Sequence, residues 1–201
     1  MRCQEKWGYN AAFATHTYRQ KMSNDSLERE RLVRKHGADG CVLGIYIAPV
    51  ATTPLTSVAS VRAVPAKGLE GDRYFHARGT FSKPKPDREV TLIESEAIEA
   101  LAHDYGTRID PGASRRNIVT RDVALNHLVG ATFRVGEVTL RGLGLCEPCE
   151  HLAELTNPRV FSGLVHRGGL RAQILSEGVI HVGDSIVCVD APATASTAQR
   201  R

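Results

Sequence analysis

Between residues 41 and 190 the chain is a succession of short runs rich in β-branched residues, each closed by Gly, Pro or Asp. They read "CVLGIYIAPV", "SVASVRAV", "REVTLI", "RNIVT", "ATFRV", "EVTLRGLGL", "LRAQIL" and "DSIVCV". Such runs are too short and too frequently interrupted for helices and predict strands. Helical spacing shows in two places. "SEAIEALAHDYG" sets Ala97, Ile98, Leu101, Ala102 and Tyr105 at helical intervals before a Gly106 stop, and "NPRVFSGLV" opens on Asn157 as cap with Pro158 at the first helical position. Helices therefore interrupt many strands without alternating with them as a parallel α/β sheet requires. The expected architecture is mainly β, a closed β-barrel with a few inserted helices.

With 201 residues, 42% of them hydrophobic, the chain has material for one sizeable core. The expected organisation is a partly helical N-terminal extension over 1–37, a single domain over 38–190 and a disordered small-residue tail over 191–201. Within the extension, Met22 is a candidate initiator. The formal charge of +4 is concentrated at the ends: residues 1–40 carry eight Lys or Arg against five acids, residues 191–201 add two Arg, and 41–190 hold 16 basic against 17 acidic groups. A near-neutral body argues against extended nucleic-acid binding but leaves room for a local basic pocket. No apolar run approaches the roughly 18 residues of a membrane span, and the N-terminus has no signal-peptide apolar core, so a soluble, cytoplasmic protein is expected. Cys3, Cys41, Cys146, Cys149 and Cys188 are odd in number and scattered, unlike a disulfide framework.

Three loop clusters carry polar chemistry. "KGLEGDRYFHARG" joins turn glycines to Asp72, Arg73, His76 and Arg78, side chains suited to an anionic ligand or to an ordinary surface loop. "ASRRNIVTRD" sets Arg115 and Arg116 before a strand, where alternation sends one inward and the other to solvent, followed by Asn117 with both donor and acceptor. "HRGGLRAQIL" places His166 and Arg167 before a glycine pair that is either an ordinary turn or an oxyanion cradle.

The fourth cluster, "CEPCEHLAEL", spaces Cys146 and Cys149 as a Cys-x-x-Cys pair. Three readings compete. A structural zinc site needs four ligands, and here there is no second pair; His151 lies close, whereas His127 and Cys188 would have to be recruited by the fold. A redox dithiol belongs with a βαβ pattern that the neighbouring sequence lacks. A reactive thiolate fits a helix start, with Cys146 as cap, Pro148 in the first turn and Cys149 just inside. Glu147 and Glu150 oppose a thiolate unless they point away, so arginines from elsewhere must prevail; Arg73, Arg116 and Arg167 are the candidates.

In order and spacing, "GIYIAPVATTPLTSVASVRAV", "GLEGDRYF", "REVTLIESEAIEAL", "SRRNIVTRDVALNHLVGATFRVGEVTLR", "LCEPCEHL" and "GGLRAQILSEGVIHVGDSIV" resemble the MOSC family, found at the C-terminus of molybdenum-cofactor sulfurases and as free-standing bacterial proteins. The resemblance runs from about Cys41 to Cys188. It implies a β-barrel similar to the barrel domain of pyruvate kinase, bound molybdenum cofactor, and a cysteine that carries sulfur as a persulfide or ligates molybdenum. That cysteine corresponds to Cys149, with Cys146 as its accompaniment. A pterin with a dithiolene and a phosphate asks for a soft sulfur ligand, a basic clamp and polar groups for the pterin edge. Cys149, then Arg116, Arg73 and Arg167, then Asn117 with Asp72, are the implied occupants of those roles, with His76 beside them. Nothing in the chain resembles a pyridoxal-phosphate desulfurase domain, so a sulfur carrier of this kind implies a separate cysteine desulfurase as donor and a molybdoenzyme as acceptor. The alternatives are a small molybdenum reductase of N-hydroxylated compounds, fed by an electron-transfer protein, and a non-enzymatic zinc-binding module.

Overall fold

The structure is a computed structural model that describes residues 40–76, 78–79 and 85–190. The expected N-terminal helix and the expected disordered tail lie outside these residues. Within these residues, eleven strands and three α-helices follow in chain order. The strands are β1 (Cys41–Ile47), β2 (Thr56–Val58), β3 (Ser60–Val64), β4 (Gly68–Leu69), β5 (Val90–Glu94), β6 (Ile118–Arg121), β7 (Thr132–Val135), β8 (Val138–Leu145), β9 (Leu170–Ile174), β10 (Gly178–His181) and β11 (Ile186–Asp190). The helices are α1 (Ser95–Tyr105), α2 (Glu150–Leu155) and α3 (Pro158–Gly163).

Eight strands form one sheet in the order β11-β7-β8-β9-β5-β6-β1-β2, and β10-β3-β4 form a second. Register explains the core. Val58, Ile45, Ile118, Leu92, Leu170 and Leu145 are cross-strand partners in one continuous row. The four central members, Ile45, Ile118, Leu92 and Leu170, are fully buried and join Phe133, Val135 and Leu140 in the inner core. Because side chains alternate across a strand, Ile93 and Val119 face the other way. There they are covered by Ala97, Ile98 and Leu101 of α1, Leu152 of α2 and Val160 of α3.

The expectation of a closed barrel is corrected: the large sheet curls into an open half-barrel. The outer edge of β1 is already taken by β2 at Ile45–Ile47, so only Gly40–Val42 remain to meet the segment before β11. They do so through a single bridge, Cys41 to Ser185, with backbone hydrogen bonds from Val42 to Asp184 (2.9 Å), from Gly183 to Val42 (2.8 Å) and from Ile186 to Gly40 (2.8 Å). The remaining opening is filled by the small sheet, whose Val61, Ala63, Leu69 and Ile180 belong to the inner core. The run "SVASVRAV" accordingly splits at Ala59, with β2 in the large sheet and β3 in the small one.

Helix boundaries follow local chemistry. Gly106 ends α1 in the left-handed region (φ 61°), and the Asn157 side chain accepts a hydrogen bond from the Arg159 amide at 2.9 Å to cap α3. Tyr105, expected on the buried face of α1, is 37% exposed. Among the described residues no helix is long and apolar enough to cross a membrane.

Candidate functional site

Where the helical layer ends, the outward row next to the core row is left uncovered and floors a cleft. Thr91 pairs with Arg171 across β5 and β9, and Asn117 bonds Thr91 at the start of β6. These three, with Arg73, Tyr74, Asp87, Arg88, Arg115, Arg116, Cys146, Glu147, Cys149, His151 and Leu152, enclose about 830 Å³, part of it open to solvent. Five arginines thus meet two carboxylates.

Asp72 organises one wall. Its Oδ2 accepts from the Ala48 amide (3.2 Å), Arg73 Nη1 (3.1 Å) and Asn117 Nδ2 (3.4 Å), and Oδ1 accepts from the Tyr74 amide (3.1 Å). Asn117 Oδ1 accepts from the Thr91 hydroxyl at 2.9 Å and the Thr91 amide at 3.2 Å, while Nδ2 also donates to the Tyr46 carbonyl at 3.2 Å. Asp72 and Asn117, expected to meet a ligand, are 2% and 5% exposed and hold the loop of Arg73 against β1, β5 and β6. Arg73 stacks over the Tyr74 ring at 5.1 Å.

Arg116 is the second organiser. Nε donates to the Gly168 carbonyl (2.8 Å), Nη1 to Ser114 (3.1 Å) and Nη2 to Cys146 (2.7 Å), with Glu147 at 3.5 Å. Expected as an anion clamp, it is 7% exposed, and its fork ties the cysteine loop to the glycine turn before β9. All four of these partners are backbone carbonyls. Arg115, expected to face solvent if its neighbour turned inward, also lines the cleft from a left-handed backbone (φ 63°) and donates to the Thr53 carbonyl. Burial, and then the Arg73 guanidinium, lower its affinity for its proton. The Asp72 carboxylate, paired with Arg73 at 3.1 Å, offsets part of that repulsion.

The two cysteines are free and unequal. Cys146 is 4% exposed, and its amide donates to the Gly169 carbonyl at 2.7 Å. Cys149 is exposed and is itself the cap of α2, which starts at Glu150. The expected arrangement, Cys146 as cap with Cys149 inside the helix, is corrected by three residues, and a helix of six residues contributes only a small dipole. Glu147 points away: its carboxylate accepts from the His166 amide at 2.9 Å and meets the His166 ring at 3.2 Å.

Two expected site residues are not brought in. His76 is exposed and packs edge-on against Phe75, ring centres 5.2 Å apart. Arg167 donates to the Gly163 carbonyl at 2.8 Å and pairs with Asp104 at 3.2 Å on the helical side. Thr91, Arg88, Arg171, Asp87, Tyr74 and Leu152 enter the cleft without having been singled out in the sequence. The only signal for Thr91 and Arg171 is that polar residues alternate with core residues in "VTLIE" and "LRAQI". Among the described residues no group of three or more His, Cys, Asp or Glu gathers as a metal site, so zinc has no ligand set there.

The MOSC domain family model matches residues 67–187, which spans the Arg73 loop, the cysteine loop and most of both sheets. The chain belongs to the MOSC domain family. Members of this family are associated with molybdenum cofactor. The fold is similar to crystal structures of the YUAD protein from Bacillus subtilis (18% identity, TM-score 0.62, covering 73% of this chain and 93% of that one) and of YiiM from Geobacillus stearothermophilus (18%, 0.58, 75% of each). It is also similar to YiiM from Escherichia coli (17%, 0.56, 75% of this chain and 70% of that one). At such identities the likeness speaks for the MOSC fold alone. No curated protein sequence matches the chain.

Proposed function

We propose that this MOSC domain binds molybdenum cofactor in the arginine cleft and carries sulfur to it on Cys149. The observation that supports this reading is an exposed cysteine at the rim of a cleft where five arginines outnumber the carboxylates. The donor set fits the cofactor. Arg73 and Arg115 suit its phosphate, Cys149 offers a soft sulfur, and Asp87 Oδ1, buried without a hydrogen-bond partner among the described residues, suits an N–H of the pterin edge. The cofactor, when bound, supplies the metal centre that accepts sulfur.

The chain's own step is thiol exchange. Cys149 Sγ, as thiolate, attacks the outer sulfur of a persulfide on a separate cysteine desulfurase. A sulfur–sulfur bond forms on Cys149 as the donor's breaks, and the donor leaves as a thiolate that takes up a proton. Cys149 shares its cleft with the arginines, and the Glu147 carboxylate is engaged by the His166 amide. A reducing cytoplasm keeps such thiols ready. After incubation with a desulfurase and cysteine, mass spectrometry of the wild type is expected to show one added sulfur, absent from Cys149→Ser. Absence of a cysteine-dependent adduct on the wild type sinks the proposal.

The same exposed sulfur also suits direct ligation of molybdenum in a reductase of N-hydroxylated compounds. That reading expects molybdenum to co-purify stoichiometrically and reductant-driven turnover to be lost with Cys149→Ser.

A further inference from the structure

Resting on the carrier reading, we infer that Cys146 is the resolving thiol of the cleft: it supplies, together with Cys149, the electron pair that lets the carried sulfur leave as sulfide, and the resulting disulfide is reset by an external dithiol. The persulfide sulfur is at the sulfane level, whereas sulfur installed on a metal as sulfide is two electrons more reduced. The carrier therefore needs a source for those electrons, and a single cysteine has none to give.

Two free thiols line this cleft, those of Cys146 and Cys149; of the other described cysteines, Cys41 lies on β1 and Cys188 on β11, and neither lines it. Cys146 is held at both backbone ends, its amide on Gly169 (2.7 Å) and its carbonyl on Arg116 Nη2 (2.7 Å). Gly168 lets this loop sit close: a Cβ there would come within 2.5 Å of the Cys146 carbonyl and 3.1 Å of Pro148. Cys149 is the accessible half of the pair, exposed to a donor. Cys146, 4% exposed, is shielded from alkylation and from loading by a bulky protein donor.

The step balances. Cys146 Sγ attacks Cys149 Sγ, the Cys146–Cys149 bond forms, and the bond from Cys149 to its outer sulfur breaks. That sulfur leaves with the bonding electrons and takes the Cys146 proton as hydrogen sulfide. Two thiols are oxidised to a disulfide and one sulfane sulfur is reduced. A low-potential dithiol protein, the chemical class of the disulfide reductases, then exchanges with the disulfide and returns both thiols. The inference therefore adds a partner class to the carrier reading.

The test uses the full-length chain without cofactor. Cys149 is loaded by a desulfurase with cysteine, donor and reductant are removed, and intact mass and released sulfide are followed. In the wild type the sulfur adduct is expected to decay with equivalent sulfide release, leaving a species lighter by a hydrogen pair whose peptide map shows Cys146 linked to Cys149. Cys146→Ala, with Cys146→Ser as a second variant checked by circular dichroism, is expected to load equally and to slow the decay by roughly tenfold or more. Equal decay in wild type and both variants, with no Cys146–Cys149 disulfide, overturns this inference and leaves the carrier reading standing. Failure of the wild type to load at all overturns the carrier reading, and the inference with it.

Discussion

Arg116 shows what a guanidinium does when carbonyls rather than anions surround it. Its planar fork reaches Ser114, Cys146 and Gly168, on three segments far apart in sequence. Lysine offers one point of charge where arginine offers a flat array of donors. Arg116→Lys is therefore expected to leave buried carbonyls unpaired and to lower stability by about 2–4 kcal/mol, read from the urea midpoint; unchanged stability would mean that the fork is dispensable. Glu89 gives a pH signature. It is 7% exposed, and burial raises its pKa from the ordinary 4.5 against the pull of the Ile174 and Ala66 amides. A carboxyl whose folded pKa lies above the unfolded one contributes stability that is fully present below pH 4.5 and is lost as pH rises through the folded value. Relative to Glu89→Gln, the wild type should thus lose stability as pH rises above 4.5 and through the folded value. Parallel stability curves for the two proteins would refute the assignment.

At the level of elements, the turn before β9 is the tightest junction of the site. Gly169 has φ +110°, and a Cβ there would lie 2.0 Å from the Leu92 carbonyl. Both the backbone conformation and the space demand glycine. Gly169→Ala is expected to cost about 3 kcal/mol and to raise the alkylation rate of Cys146, because the carbonyl of residue 169 anchors that residue's amide. A variant with wild-type melting and wild-type labelling would show that the turn adapts freely. The glycine pair was legible in the sequence as a turn or an oxyanion cradle. Its carbonyls position the cysteine loop: Gly169 O and Gly168 O accept from Cys146 and Arg116.

At the scale of the whole molecule, the half-barrel and the small sheet share one core, so they should unfold together. Ile180 of β10 is fully buried among residues of the large sheet. Ile180→Ala should cost about 2–5 kcal/mol while keeping a single transition by both circular dichroism and intrinsic fluorescence. A separate early transition would mean that the small sheet is an independent lid. The closed barrel expected from many short strands becomes an open one for a reason that involves strand partners. β2 occupies the edge of β1 that closure would use, and β10, a four-residue run that does not stand out in the sequence, fills the gap.

Period and punctuation were enough to read most strands, α1 with its Gly106 stop and α3 with its Asn157 cap, because these depend on neighbours along the chain. The order of its motifs was also enough to point to the MOSC family. Burial and partnership were decided in three dimensions. Arg116, Asp72 and Asn117, expected as ligand contacts, also act as supports, since they bond backbone groups of segments distant in the sequence. Arg167 went to Asp104, and Thr91 and Arg171 entered the cleft through cross-strand register. A side chain's chemistry is written in its residue type, but which side of a sheet it faces, and which group reaches it first, is set by pairings tens of residues apart.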